Sequence, residues 1–304
     1  MAASGERRDS ERPNTLVPVV CCVDDRFATP LCVLMESIAA ARPAGAPEML
    51  MIVINDDLSE AGRHAIMKHA ELLSFELQLR TAPPPSSLFP QFRWDSNVTY
   101  TRLAIPEVIP DHRVVLYLDV DTIVLQDISE LLYRPLGDAP FAAVPDPTKP
   151  LLRLGRALPG WQELGLSGDR AYFNNGIMLM DVERCAAQRL FSEAARFLAE
   201  HRENVRYWDQ DGMNWAATDN WARLERKWNT FALSPLKSIG EYTHPAEEVL
   251  PLSTLIAEEE TAAILHFAGP RKPWMRDYPE SSLRDLYLRF SRAAEIRAAA
   301  GTVA

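Results

Sequence analysis

Acidic side chains recur directly after apolar runs of this sequence, where they could hold a cation. Asp24 and Asp25 follow LVPVVCCV, Asp119 and Asp121 lie within LYLDVDTIVL, and Asp146 follows FAAVP. Open parallel sheets bind ligands outside the carboxyl ends of their strands, so these acids are expected to converge at one edge. Converging carboxylates repel each other, and a divalent cation that prefers oxygen ligands relieves the repulsion.

The Asp119-Val120-Asp121 triplet is the sharpest of these signals. In an extended segment, residues two apart point the same way, so both carboxylates can reach one metal while Val120 points into the protein. The alternative is a pair of solvated acids at a strand end. The flanking residues are apolar, however, and unpaired buried carboxylates are costly, which favours the metal site.

The segment HFAGPRKPW, from His266 to Trp274, could complete such a site. Histidine ligates metals, and a mixed oxygen and imidazole site favours Mn²⁺ over Mg²⁺. Gly269 and Pro270 predict a turn where the backbone can approach a ligand, and Lys272 adds a positive charge. Taken alone, a histidine at a strand end is more often structural.

Two polar segments could bind sugar hydroxyls. Asn174 and Asn175 lie in FNNG, and Asp209, Gln210 and Asp211 lie in WDQD. Their amide and carboxyl groups suit hydrogen bonding to sugars. Turn and helix-cap chemistry accounts for Asn and Asp equally well, so spacing leaves both interpretations open.

The elements that would position these residues alternate along the chain. Apolar runs predict strands over 16–23, 49–56 and 75–79, and helices start at Thr29 and Ser59, which together predict a parallel sheet covered on both faces. Later strands are predicted over 114–118, 141–144, 177–180 and 263–267, with helices over 191–198, from 209 and over 283–299. A short helix holding Arg102 would be capped by Asp95 or Ser96. We expect a disordered N-terminus over 1–14, one α/β domain over 15–280 and a helical tail over 281–304.

Composition excludes several classes of protein. The chain has 304 residues, of which 47% are hydrophobic and 24% charged, as in ordinary globular proteins. Its 42 acidic against 32 basic residues make nucleic acid an unexpected partner. No secretory leader or apolar run of about 20 residues is apparent, so we expect a cytoplasmic protein without a transmembrane segment. The cysteines are interpreted as small buried hydrophobes: Cys21, Cys22, Cys32 and Cys185.

Five segments in order carry a family resemblance: VCCVDDRF, YTRLAIPEVI, VLYLDVDTIVLQDISEL, YFNNGIMLMDV with the later WDQDGMNW, and HFAGPRKPW. The set resembles the family 8 retaining glycosyltransferases, which include bacterial lipopolysaccharide galactosyl- and glucosyltransferases and glycogenin. It extends from about residue 17 to 275. The resemblance implies a single GT-A domain with a mostly parallel mixed sheet, a UDP-sugar donor and Mn²⁺, with Mg²⁺ as the second candidate.

The resemblance also implies roles for single residues. The metal ligands would be Asp119, Asp121 and His266. Asp24 matches the position at the uracil, Arg102 one near the diphosphate, and Gly269 with Lys272 the diphosphate-binding turn. Around the transferred sugar lie Asp146, Asn174, Asp209 and Gln210, with Gln210 on the β-face of the anomeric carbon. The predicted donor site also includes Asp25 and Val120, and the predicted catalytic residues are Gln210 and Asp209. Two positions depart from the pattern: Arg26 stands where relatives often carry Asn, and Asn175 where a small residue is common.

The predicted reaction is metal-dependent transfer of glucose or galactose from a UDP-sugar to a glycan or lipopolysaccharide-type acceptor hydroxyl, with retention of configuration. Gln210 is a poor nucleophile, and Asp209 and Asp211 are expected to face elsewhere on their helix. This favours attack by the acceptor on the face of the leaving diphosphate, assisted by a diphosphate oxygen. The C-terminal helix is expected to dock on the domain rather than on a membrane surface, and peripheral membrane contact stays open.

Two other functions compete with this prediction. A haloacid-dehalogenase-like phosphatase would use Asp119 as its nucleophile. That motif normally follows the first strand of its domain, however, whereas Asp119 comes after three strands, and no later Gly-Asp-x-x-x-Asp follows. A non-catalytic protein that binds nucleotide sugars is the third candidate. Release of UDP with sugar transfer, of inorganic phosphate, or of neither would separate the three.

Overall fold

A computed structural model describes residues 18–46, 48–55, 57–90, 98–237, 239 and 243–300. The predicted N-terminal segment 1–14 and the predicted caps Asp95 and Ser96 lie outside these ranges. The strands are β1 (Val19–Val23), β2 (Met49–Asn55), β3 (Phe75–Thr81), β4 (Val114–Leu118), β5 (Thr122–Val124), β6 (Phe141–Pro145), β7 (Phe173–Asp181), β8 (Ala222–Arg223), β9 (Thr230–Phe231) and β10 (Ile264–His266). The helices are α1 (Ala28–Ala41), α2 (Glu60–Leu72), α3 (Val98–Thr101), α4 (Ile105–Val108), α5 (Ser129–Leu132), α6 (Val182–Ala187), α7 (Leu190–Glu200), α8 (Trp208–Ala217), α9 (Ser234–Lys237), α10 (Leu252–Glu258) and α11 (Ser282–Ala300).

The main sheet has seven strands in the order β3-β2-β1-β4-β7-β6-β8. Strands β3, β2, β1 and β4 run parallel, whereas β7 is antiparallel to both of its neighbours, β4 and β6. The predicted alternation of strands and helices over the first 80 residues is therefore confirmed. So is the predicted α/β class with a mostly parallel mixed sheet.

Strand β1 shows why its sequence is apolar throughout. Successive side chains of a strand point to opposite faces, and here both faces are covered. Val19, Cys21 and Val23 belong to the core beneath α1 and α2, whereas Val20 and Cys22 belong to the core beneath α4, α6 and α8. The buried cysteines thus act as small apolar side chains, as predicted. The sheet is rigidly held, and the ends of its strands are fixed in position.

A second, smaller sheet was not predicted. It has the order β5-β10-β9, with β10 antiparallel to β5 and parallel to β9. The apolar run LYLDVDTIVL is therefore two strands, β4 in the main sheet and β5 in the small one. The turn between them lies where the two sheets meet.

The C-terminal helix α11 packs on α1 and α2. Its Arg297 Nε donates to Glu36 Oε1 of α1 at 2.6 Å, and Glu36 Oε1 also lies 3.1 Å from His69 Nε2 of α2. Tyr287 and Ala294 are buried in the same contact. This agrees with the expected docking on the domain. Within the described ranges, no helix combines the length and apolar character required to span a bilayer.

Candidate active site

The Asp119-Val120-Asp121 triplet forms a turn between the two sheets. Asp119 follows β4, Asp121 precedes β5, and Thr122 Oγ1 donates to the Asp119 carbonyl at 2.6 Å. The expectation of an extended segment is therefore wrong, because the chain must change direction to leave the main sheet for the small one. Val120 is buried as expected. The two carboxylates still lie on one side of the turn, where they meet His266.

His266 is far from Asp121 in the sequence, and strand pairing brings it to this turn. The antiparallel register of β10 with β5 places His266 opposite Thr122. His266 Nε2 then lies 3.9 Å from Asp119 Oδ2 and 3.3 Å from Asp121 Oδ1. One ligand atom from each of these three residues lies within 4.8 Å of the other two. Two carboxylates and one imidazole fit a divalent cation such as Mn²⁺.

Gly176 on β7 keeps space open at this cluster. A Cβ atom at residue 176 would lie 2.5 Å from His266 Cε1 and 2.7 Å from Asp119 Oδ2. The Gly176 carbonyl also accepts a hydrogen bond from Asp119 N at 2.7 Å. Any side chain here would thus displace two of the candidate ligands. The FNNG motif contained this glycine, but its role depends on a neighbouring strand and could not be inferred from the motif.

Lys272 pairs with Asp121 in the structure. Its Nζ donates to Asp121 Oδ2 and, at 3.0 Å, to the Phe267 carbonyl. Burial raises the pKa of Asp121, but Lys272 and His266 outweigh burial and hold that pKa below its ordinary value. Gly269, with φ of 103°, makes the turn that returns the chain toward Asp121. The cluster therefore contains an ionised carboxylate with an ammonium group beside it.

Arg102 joins the cluster to helix α8. Its Nη2 lies 2.9 Å from Asp119 Oδ1, and its Nε lies 2.7 Å from Asp209 Oδ2. Its guanidinium lies 4.5 Å above the centre of the Tyr117 ring. Burial alone would lower the pKa of Arg102, but Asp119 and Asp209 raise it above its ordinary value. The guanidinium is a permanent charge between two acids.

Asp209 faces this site, which corrects the expectation that it faces elsewhere. Asn175 Nδ2 donates to Asp209 Oδ2 at 2.7 Å, so the unusual Asn175 positions an acid. The helical-spacing argument fails because consecutive helical residues point only about 100° apart, so Asp209 and Gln210 can both face β7, where they meet Asn175 and Asn174. Burial raises the pKa of Asp209 to about 7 against the charge of Arg102, and the charge of Asp119 adds to the rise.

Asp211 does face elsewhere. Its Oδ1 accepts from Leu158 N at 3.0 Å and from the Tyr172 hydroxyl at 2.7 Å. Its Oδ2 accepts from Arg206 N and Tyr207 N, both at 2.7 Å. Arg206 and Tyr207 directly precede α8, whereas Leu158 and Tyr172 lie in the segment between β6 and β7. Asp211 therefore holds the start of the helix from which Asp209 and Gln210 project.

Buried amides connect the sugar-site candidates to the metal ligands. Gln210 Nε2 donates to Asp146 Oδ2 at 3.1 Å, and Asn174 Nδ2 donates to Gln210 Oε1 at 2.8 Å. Asn229 Nδ2 donates to Asn174 Oδ1 at 2.7 Å, and Asn229 Oδ1 lies 2.9 Å from His266 Nδ1. Sequence reasoning missed Asn229, because one Asn in RKWNTF matches no chemical pattern. We call this hydrogen-bonded chain the amide relay; its members are Asp146, Gln210, Asn174, Asn229 and His266.

Lys149 was also missed, and it neutralises the far end of the relay. Its Nζ lies 2.7 Å from Asp146 Oδ2 and 4.0 Å from the centre of the Tyr207 ring. Burial raises the pKa of Asp146, but Lys149 and the hydrogen bonds from Thr148 and Gln210 lower it below its ordinary value. Asp146 therefore remains a carboxylate, with Oδ1 accepting from Thr148 N at 3.0 Å.

Asp24 and Asp25 have local partners. Asp24 Oδ1 accepts from Arg26 N at 2.9 Å, and Arg26 Nη2 lies 3.0 Å from Asp24 Oδ2. Asp25 Oδ1 accepts from the backbone N and the hydroxyl of Ser59, each at 2.9 Å, where Ser59 caps α2. The structure thus gives Asp25 a role in fixing α2. Neither acid is joined to the amide relay by a described hydrogen bond.

The fold and the site together define a class of enzyme. The galactosyltransferase LgtC, solved in complex with donor and acceptor sugar analogues, matches this chain with a TM-score of 0.73 and 25% identity, over 91% of this chain and 96% of that one. The glycosyltransferase GlyE of Streptococcus pneumoniae matches with a TM-score of 0.64 and 20% identity, over 93% of this chain and 63% of that one. The fold is therefore the predicted GT-A fold.

The profile of glycosyl transferase family 8 matches residues 18–278. The chain belongs to this family and is a glycosyltransferase, as the motifs predicted. General stress protein A of Bacillus subtilis is 26% identical over 272 residues, 86% of this chain and 89% of that protein. The lipopolysaccharide 1,2-glucosyltransferase of Escherichia coli is 31% identical over 161 residues, 53% of this chain and 44% of that protein. The family leaves the phosphatase alternative, with Asp119 as nucleophile, without support.

Proposed function

We propose that this enzyme transfers glucose or galactose from a UDP-sugar to a hydroxyl of a glycan or lipopolysaccharide-type acceptor, with retention of configuration and with a divalent cation. One observation carries the proposal: Asp119, Asp121 and His266 converge within 4.8 Å beside the buried amide relay. The names of a glucosyltransferase and a galactosyltransferase among its relatives support the hexose and the acceptor class.

The donor set fits Mn²⁺, with Mg²⁺ as the second candidate. Asp119, Asp121 and His266 would hold the ion, and a nitrogen ligand favours Mn²⁺. When bound, the ion supplies Lewis-acid neutralisation of the charge that develops on the departing diphosphate. Gly176 leaves the space beside these ligands free of a side chain.

Fixed positive charges of the chain act on the same diphosphate. Lys272 is on the loop that follows β10, and its ammonium group lies at Asp121. We assign this ammonium group and the Gly269 turn to the diphosphate, and Asp24 to the nucleotide base. Arg102 is held by Asp119 and Asp209, so its charge is oriented before a substrate binds. Such pre-oriented charges stabilise a leaving group at no cost of rearrangement during the reaction.

The sugar is assigned to the pocket formed by Asp146, Asn174, Asp209 and Gln210. Gln210 is an amide whose two ends are held by Asn174 and Asp146, so it is placed to contact the sugar and not to form a covalent bond with it. The acceptor oxygen then forms the new bond to the anomeric carbon on the face from which the diphosphate oxygen departs. The acceptor proton passes to that diphosphate oxygen, which balances the transfer.

A donor screen tests the proposal. Purified enzyme is incubated with UDP-glucose, UDP-galactose or other nucleotide sugars and a lipopolysaccharide-type acceptor, with Mn²⁺, Mg²⁺ or a chelator, and released UDP and glycosylated product are measured. We expect both products to form together with one UDP-hexose and to vanish with the chelator. Binding of UDP-sugar without transfer to any acceptor would favour the non-catalytic alternative, and release of inorganic phosphate would overturn the proposal.

The domain limits are part of the same proposal. We assign the catalytic domain to residues 15–280 and the docked helical tail to residues 281–304. The family match over 18–278 supports these limits. Limited proteolysis of the enzyme with mass spectrometry of the fragments would locate the boundary, and cleavage within 100–270 as the first event would contradict a single domain.

A further inference from the structure

The amide relay has one hydrogen-bond direction, and that direction reaches a metal ligand. The Asn174 oxygen accepts from the backbone N–H of Gly176 at 3.0 Å. A backbone N–H can only donate, so the atom of Asn174 facing it must be its oxygen. The amide atom of Asn229 that faces the same oxygen at 2.7 Å must then be its nitrogen.

The other end of the relay gives the same direction. Asp146 is a carboxylate that is also paired with Lys149, so the Gln210 atom facing it at 3.1 Å must be the donating nitrogen. The Gln210 oxygen therefore faces Asn174, where it accepts from the Asn174 nitrogen at 2.8 Å. Two fixed groups at opposite ends thus impose one orientation on the amides between them.

This orientation decides which ring nitrogen of the neutral His266 carries the proton. With its nitrogen committed to Asn174, Asn229 presents its oxygen to His266 Nδ1 at 2.9 Å. An amide oxygen only accepts, so the neutral imidazole must carry its proton on Nδ1. Nε2 then keeps its lone pair, and Nε2 is the atom near Asp119 and Asp121.

We infer that Asn229 is a positioning residue that sets the Nδ1–H tautomer of His266 and links the metal ligand to the amide groups around the sugar. The inference rests on the proposed metal site. Partners of this kind fix the ring orientation of ligating histidines and contribute to metal affinity. Asn229 acts through His266 and Asn174, and it contacts neither carboxylate of the cluster in the described hydrogen bonds.

The fold holds Asn229 firmly in this position. It directly precedes β9, which runs parallel to β10 with Phe231 opposite His266. Asn229 and His266 are each 2% exposed, and Asn174 is 7% exposed. Burial excludes bulk water as a substitute partner, so loss of the amide leaves the imidazole without an acceptor.

The tautomer can be measured directly in the metal-free enzyme. The chain has six histidines, and ¹⁵N-histidine NMR at alkaline pH distinguishes Nδ1–H from Nε2–H. The His266→Gln variant identifies the signals of His266. We expect a protonated Nδ1 and an unprotonated Nε2. An Nε2–H tautomer in the wild-type chain overturns the inference, whether or not the enzyme transfers sugar.

Two substitutions at Asn229 separate its two contacts. Asn229→Ala removes both, and we expect binding of Mn²⁺ alone, measured by electron paramagnetic resonance of free Mn²⁺, to weaken by about 10–100-fold. Asn229→Asp keeps an oxygen toward His266 but turns a second oxygen toward Asn174. We expect this variant to keep the Nδ1–H tautomer and Mn²⁺ binding no weaker than wild type, while kcat for sugar transfer falls.

Asn204→Ala is the control, because Asn204 is a partly buried amide that lies outside the amide relay and donates to the Pro159 carbonyl. It should leave Mn²⁺ binding and the His266 signals unchanged. Thermal unfolding shows which variants fold. Unchanged Mn²⁺ binding and an unchanged tautomer in folded Asn229→Ala, or an Nε2–H tautomer in Asn229→Asp, overturn the inference. If wild-type enzyme does not bind Mn²⁺, the proposed metal function fails, while the NMR result on the tautomer still decides the role of Asn229.

Discussion

Asp121 and Asp211 are both buried acids, the first in the turn before β5 and the second in the first turn of α8, yet their surroundings are opposite. Asp211 accepts hydrogen bonds from three backbone N–H groups and the Tyr172 hydroxyl. Asp121 faces the acid Asp119, the His266 ring nitrogen and the ammonium group of Lys272. Backbone N–H groups and a hydroxyl satisfy the hydrogen-bonding capacity of the Asp211 carboxylate, so Asp211 stabilises the fold. Asp121 is instead placed among side-chain ligand atoms and one ammonium group, which suits the binding of a cation.

The largest effect should come from Asp121→Ala. We expect donor turnover to fall by about 10²–10³-fold or more, as when one electrostatic stabiliser is removed, because the candidate metal site loses a ligand. The melting temperature should also fall, because Lys272 and His266 lose their buried carboxylate partner, so turnover is compared in enzyme shown to be folded. UDP release and thermal unfolding measure the two effects. Wild-type turnover in Asp121→Ala with Mn²⁺ present would show that Asp121 is not needed for catalysis and would contradict its assignment to the metal site.

Asp211→Ala should show the reverse pattern. We expect the free energy of unfolding to fall by about 2–4 kcal/mol, because buried backbone N–H groups of Leu158, Arg206 and Tyr207 lose their acceptor. Mn²⁺ binding by the folded fraction should stay near that of wild type. Urea unfolding and Mn²⁺ titration measure both. A stable variant with weakened Mn²⁺ binding would show that Asp211 belongs with the metal site.

Asp209 combines features of Asp121 and Asp211, because it faces the candidate active site and is also buried. We expect its carboxyl group to make the stability of the fold depend on pH. Burial raises the pKa of Asp209 from 3.8 to about 7, so the folded state binds its proton more tightly than the unfolded state does. Stability from this residue is therefore fully present below about pH 4 and is lost as the pH rises through 7. Asp209→Asn cannot ionise, so its stability relative to wild type should rise over this range by on the order of 4 kcal/mol.

The measurement is urea unfolding of both proteins between about pH 4 and 8. Arg102 and Asp119 face Asp209 and contribute to its pKa, so their charges must stay constant for the comparison. Arg102 does so across the range. Parallel curves for wild type and Asp209→Asn would show that the carboxyl group of Asp209 titrates normally, and would place it with ordinary surface acids.

The smallest effect should come from the ion pair that docks α11. Arg297 is 38% exposed in its side chain, so solvent screens its bond to Glu36, and Arg297→Ala should cost about 1 kcal/mol or less. Mn²⁺ binding and UDP release should not change. Urea unfolding and a transfer assay check this. A loss of sugar transfer in Arg297→Ala would show that α11 supports the active site, contrary to this expectation.

Sequence patterns anticipated the parts of the fold that depend on neighbouring residues. Buried runs such as 49–55 must be strands because they are apolar on both faces, and Thr29 with Pro30 marked the start of α1. They did not anticipate that Asp119 and Asp121 flank a turn, because an apolar run does not reveal that its two halves enter different sheets. Nor did they anticipate Asp209 facing Arg102, since helical spacing alone does not reveal that two consecutive residues, about 100° apart, face one site.

The amino-acid sequence by itself determined the α/β class, the alternation of strands and helices over the first 80 residues and the chemical types of the candidate ligands. Only the tertiary structure decided which atoms meet. The register of β10 on β5 brings His266 to Asp121, and the closeness of β7 makes Gly176 necessary. Asn229 and Lys149 acquire their roles only through partners on other elements. Local patterns record the covalent neighbours of a residue, whereas hydrogen bonds and charge pairs depend on distances that arise once distant segments pack together.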